Sequence, residues 1–132
     1  MSSPGLPKTY QLGGIRLFEL PAEGELIQSD RAAAAVISAA WEHKSRFVVL
    51  PAERLGSDFF RLKTRIAGEV IQKFVTYKMR VAIVGDIAKH VAESDALRDF
   101  VYESNRGDQV WFVANLSELE HRLESGGNQN PK

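Results

Sequence analysis

Hydrophobic and polar positions along the chain change period several times, and each change marks an element. Tyr10-Gln11-Leu12 and Ile15-Arg16-Leu17-Phe18-Glu19-Leu20 are strand-like runs flanking Gly13-Gly14, a pair suited to the positive φ angles of a two-residue hairpin turn. Apolar residues then recur at three- and four-residue spacing in Ala33, Val36, Ile37, Ala40 and Trp41. That spacing predicts a first helix, capped by Ser29 or Asp30 and ending near Lys44. Arg46-Phe47-Val48-Val49-Leu50 reads as a strand covered on both faces, and Pro51 stops it.

A long amphipathic segment follows, predicted as a second helix capped by Ser57 or Asp58 and running to about Thr76. At about 100° per residue, Phe59, Phe60, Leu62, Ile66, Ala67, Val70, Ile71, Phe74 and Val75 fill one arc, and Lys63 falls near its middle. Either the lysine stem snorkels to solvent, or its amine is held by a carboxylate, with Asp86 and Glu103 as candidates. On the same wheel Glu69 faces Lys73 at i,i+4, while Gly68 sits on the polar side. A glycine there costs up to about 1 kcal/mol relative to alanine, and close approach of another chain is the one reason the sequence offers for it.

The run Val81 to Val84 is the next buried strand. Ser94 or Asp95 opens a third helix through Ser104, with Gly107 placed as its C′ residue. Val110-Trp111-Phe112-Val113-Ala114 is the last strand and Ser117 through Leu123 a closing helix. The order ββαβαβαβα predicts a single α/β domain over residues 8–124, with a mainly parallel sheet and an N-terminal antiparallel hairpin. Residues 1–7 and 125–132, rich in Ser, Pro, Gly and Asn, are expected to be flexible tails.

Composition narrows the function classes. Seventeen basic residues balance seventeen acidic ones, so no overall field gathers nucleic acid or an anionic membrane, and neither is expected as a partner. No apolar run approaches a membrane span of roughly 20 residues, and the N-terminus lacks a signal-peptide core, which predicts a cytoplasmic location. The absence of cysteine excludes disulfides and thiol catalysis. His43, His90 and His121 share no ligand spacing, so no metal is expected, and no cofactor fingerprint is present.

Two local features remain. His43-Lys44-Ser45-Arg46 and Tyr77-Lys78-Met79-Arg80 repeat a Lys-x-Arg lead-in before successive strands. Each strand also exits into polar residues, Glu53, Asp86 and Asn115, at the carboxyl edge where open α/β sheets usually meet ligands and partners. Ser57 there is either a simple cap or a phosphorylation site favoured by Arg54 and Arg61.

Asp58-Phe59-Phe60-Arg61-Leu62-Lys63-Thr64, Ala67-Gly68-Glu69-Val70-Ile71-Gln72-Lys73-Phe74, Val81-Ala82-Ile83-Val84-Gly85-Asp86 and the stretch from Leu97 to Gly107 resemble the short bacterial proteins of domain of unknown function family 4180. The resemblance covers about Lys8 to Leu123 and implies a small stand-alone bacterial domain without an assigned activity. The element order is similar to the STAS fold of anti-sigma-factor antagonists, in which a serine in the place of Ser57 is phosphorylated.

The reading is therefore a STAS-like regulatory or protein-interaction module without catalytic residues. Its interaction residues are Glu53, Ser57, Asp58, Arg61, Lys63 and Arg65, and its partner an unidentified protein or a second copy. The alternative is a small-molecule binder or minor enzyme using Lys63, Asp86 and Glu103 in a pocket at the strand ends. A flat exposed face favours the first and a closed concavity the second.

Overall fold

The computed structural model describes residues 5–128. β1 (Lys8–Leu12) and β2 (Ile15–Glu19) form the expected hairpin, with Leu12 opposite Ile15 and Gly13 and Gly14 at φ 59° and 80°. β2, β3 (Phe47–Pro51), β4 (Arg80–Val84) and β5 (Val110–Val113) run parallel, and the five strands lie side by side in sequence order.

Consecutive order combined with right-handed crossovers sends α1 (Asp30–Glu42), α3 (Ile66–Thr76) and α5 (Asp95–Arg106) to one face of the sheet. There Phe18, Val48, Leu50, Val81, Ile83 and Phe112 meet Ile37, Val70, Phe74 and Leu97 in one core. The alternate strand residues Leu17, Phe47, Val49, Ala82, Trp111 and Val113 point the other way and are covered by α6 (Leu116–Asn128) through Leu119 and Leu123. Strand side chains alternate faces, so continuous apolar runs were the mark of a sheet with both faces covered. The result is the single α/β domain the periodicity predicts.

The repeated Lys-x-Arg lead-in is a repeated turn. At the end of α1 the Ser45 amide donates to Ala40 O and Lys44 to Trp41 O; at the end of α3 Met79 donates to Phe74 O and Lys78 to Val75 O. This is the Schellman arrangement, which needs a left-handed residue at C′. Lysine takes that place twice, at φ 63° in Lys44 and 56° in Lys78, while Ser45 and Met79 tuck inside.

The second helix is not continuous, and this corrects the reading of Lys63. The chain forms a 3-10 turn (Ala52–Arg54), the short α2 (Gly56–Phe59), a second 3-10 turn (Leu62–Thr64) and, after Arg65 at φ 69°, α3. The Thr64 hydroxyl lies 2.8 Å from both Asp58 O and Arg61 O and accepts from the Ile66 amide, taking up backbone groups that a helix would have used itself. The break lets adjacent Phe59 and Phe60 both turn inward, with rings 5.0 Å apart. Lys63 consequently lies exposed on a turn, not inside an apolar face.

Smaller corrections share this origin in tertiary context. A helix absent from the expected order, α4 (Ala88–Ala92), follows β4. α5 runs to Arg106, and Gly107 closes it at φ −94° without using the left-handed region. α6 extends to Asn128, past the tail boundary drawn at 125; residues 5–7 of the first tail are exposed and outside any element, and residues 1–4 and 129–132 lie outside the described residues. Trp41, counted among the apolar positions of the first helix, is 45% exposed and meets Tyr77 edge to face at 5.7 Å.

Candidate functional site

The segment between β3 and α3 carries most of the residues singled out above. Its underside is fixed by Leu55 and Phe59, both fully buried, and by Phe60, whose ring stacks on His90 at 4.6 Å with planes 12° apart. Its near end is fixed by Arg54, which donates to Pro21 O at 3.0 Å and Glu25 O at 2.9 Å, and by the Ile27 amide donating to Arg54 O at 2.7 Å. Glu53, Ser57, Asp58, Arg61, Lys63 and Arg65 are all left facing solvent. Apolar anchors below and charges above make this irregular stretch a fixed ridge.

Two depressions flank the ridge. At the carboxyl edge a cavity of about 380 Å³ brings Glu53, Ser57, Asp86 and His90 together, against Gly85. Gly85 has φ 154°, and a Cβ there would stand 2.7 Å from Ala52 Cβ, so only glycine lets β4 pass this close to the turn after β3. On the far side a groove of about 910 Å³ runs over the outer surface of α3, from Asp30 on α1 to Leu62, Arg65 and Phe100. Gly68 lies in that groove, with nothing within 4 Å of where a Cβ would sit.

The triad proposed from sequence as an ion pair or pocket is not assembled. The Asp86 carboxylate accepts from the Ala88 amide at 3.0 Å and so caps α4. Glu103 pairs with Arg106 at 3.6 Å, one turn along α5. Lys63 has no carboxylate within 4 Å among the described residues, because the broken helix turns it outward. Lys73, expected to pair with Glu69, instead reaches Asp30 at 3.4 Å and ties α3 to α1.

The surroundings of Ser57 also differ from expectation. Of the two arginines thought to favour a phosphate there, Arg54 is held by backbone carbonyls and Arg61 lies 3.8 Å from Asp58. Glu53 and Asp86 instead line the same cavity as Ser57, so a phosphate there would share that cavity with two carboxylates. His90 was missed as a site residue. Its only signal was its place four residues after Asp86, which means nothing until α4 is known to exist.

No helix among the described residues is long and apolar enough to cross a membrane. No curated protein and no solved structure matches the chain. The family resemblance carried by the motifs of the ridge, α3, β4 and α5 has a direct counterpart, since a family model matches residues 12–123, from the end of β1 through the last buried leucine of α6. The chain belongs to the family described as Domain of unknown function (DUF4180).

Proposed function

We propose that this domain is a non-catalytic, STAS-like regulatory module that works by binding a partner protein across the ridge from Glu53 to Arg65 and the groove over α3. Gly68 carries the reading. Exposed in the first turn of α3, it favours the helix less than alanine would, by up to about 1 kcal/mol, and no contact within the domain needs its small size. What it provides is bare backbone in the groove over α3, where a partner segment can approach closely. The ridge beside it is pinned by buried aromatics, so little ordering entropy opposes association. Its mixed charges, Asp58 with Arg61, Lys63 and Arg65, suit orientation and selectivity more than raw affinity.

Charge reversal at Arg61 and Arg65 tests this. Proteins captured from native cells by the tagged wild-type chain and cross-linked to the ridge should be depleted at least tenfold in Arg61→Glu/Arg65→Glu, with the melting temperature unchanged. Equal recovery with the double variant would remove the ridge from the interface.

One observation favours a second reading: Glu53, Ser57, Asp86 and His90 converge at the carboxyl edge in a volume near the lower limit of small-molecule sites. A metabolite retained by the wild-type chain and lost from His90→Ala, but kept by the ridge variant, would support it.

A further inference from the structure

The balanced net charge conceals a local excess. Parallel pairing of β3 with β4, Phe47 opposite Arg80, brings the two Lys-x-Arg lead-ins side by side at the amino edge. Lys44, Arg46 and Lys78 are exposed there, and none of these or Arg80 has a carboxylate within 4 Å among the described residues. Arg80 is instead held by the Asp108 carbonyl at 2.6 Å and by the rings of Phe47 and Trp111 at 4.9 and 5.0 Å. Trp41 and Tyr77, 45% and 43% exposed, stand at the helix ends beside the two lysines.

We propose that this amino edge binds single-stranded nucleic acid, the lysine and arginine pairs holding phosphates and the Trp41–Tyr77 pair stacking a base. Exposed aromatics beside cations that no carboxylate approaches within 4 Å among the described residues are the two parts such binding requires, and stacking tolerates any sequence because every base has a π face. The charges favour a strand over a membrane. Adjacent strands lie about 4.8 Å apart, so the two lead-ins gather their cations along one narrow edge of the sheet, which suits a single chain of phosphates better than a plane of headgroups. The left-handed lysines agree with this use. Glycine would complete both Schellman turns with less strain, yet both positions keep a cation.

The same conformation supplies the test, because Lys44→Gly/Lys78→Gly removes two charges while relaxing the backbone. Binding of a labelled 12-nucleotide single strand to the full chain is followed by fluorescence anisotropy at several salt concentrations. With four phosphates neutralised, log K should fall with log salt at a slope near −2.8, about fifty-fold in affinity between 50 and 200 mM. The double glycine variant should lower that slope to about −1.4, and Trp41→Ala should weaken binding roughly fivefold or more at fixed salt. Absence of binding at 50 mM salt would overturn the proposal, as would an unchanged slope in the glycine variant. Sedimentation with phosphatidylserine vesicles that the oligonucleotide fails to displace would assign the edge to a membrane instead.

Discussion

Lys44 and Lys78 hold backbone angles that cost an L-residue roughly 1 kcal/mol and a glycine almost nothing. Lys44→Gly and Lys78→Gly should each therefore stabilise the fold by about 0.5–1 kcal/mol, read as a higher urea midpoint at constant m-value. Tyr10 makes a different prediction. Burial, reinforced by its 2.6 Å hydrogen bond to the neighbouring Glu19 carboxylate, raises its phenol well above the usual 10.0. A group with a raised folded pKa gives stability that is complete below its unfolded pKa and lost above it. Stability should accordingly fall as pH rises past about 10, and Tyr10→Phe should flatten that decline in melts taken between pH 9 and 11. Caps at Ser29 and Ser94 were legible because one short side chain serves one nearby amide, 3.0 and 3.1 Å away. The left-handed lysines were not. Their conformation answers to Ser45 and Met79 going inside, and only the repetition of the words hinted at a shared turn.

At the scale of elements, strands and amphipathic helices were read from period alone, since five continuous apolar or alternating runs leave few other solutions. The segment from Gly56 to Arg65 defeated that approach. A wheel assumes 100° per residue throughout, whereas Phe59 and Phe60 both had to enter the core and the Thr64 hydroxyl offered backbone groups another partner. The consequence is a sharp contrast between neighbours. Phe59→Ala should cost about 3–5 kcal/mol and unpin the ridge, while Lys63→Ala, exposed and unpaired among the described residues, should stay within about 0.5 kcal/mol. Denaturant titration of the two variants checks this directly. A large cost at Lys63 would restore the lysine to the apolar face from which the structure removes it.

Across the whole molecule, sequential strand order places every crossover helix on one face and leaves the opposite face to α6 alone. That winding fixes what each edge can do. The strand exits gather Glu53, Asp86 and His90, and the amino edge gathers Lys44, Arg46, Lys78 and Arg80. The carboxyl edge was legible as a place to look, because the polar exits of parallel strands must converge there. Which residues would meet was not, since Lys63, Asp86 and Glu103 belong to segments whose geometry depends on a break and a short helix that no period announces. Gly68 was visible from the start as a cost without a local return, and its place in the groove over α3 is what turns that cost into an argument for a partner.

The most direct test of that argument is a paired measurement on Gly68→Ala: thermal stability of the isolated domain, and recovery of its cross-linked partner from native cells. Stability should hold or rise, by up to about 1 kcal/mol, while recovery falls several-fold, because the added methyl favours the first turn of α3 and obstructs the approach. A variant that is stabilised and still captures the partner in full would contradict it.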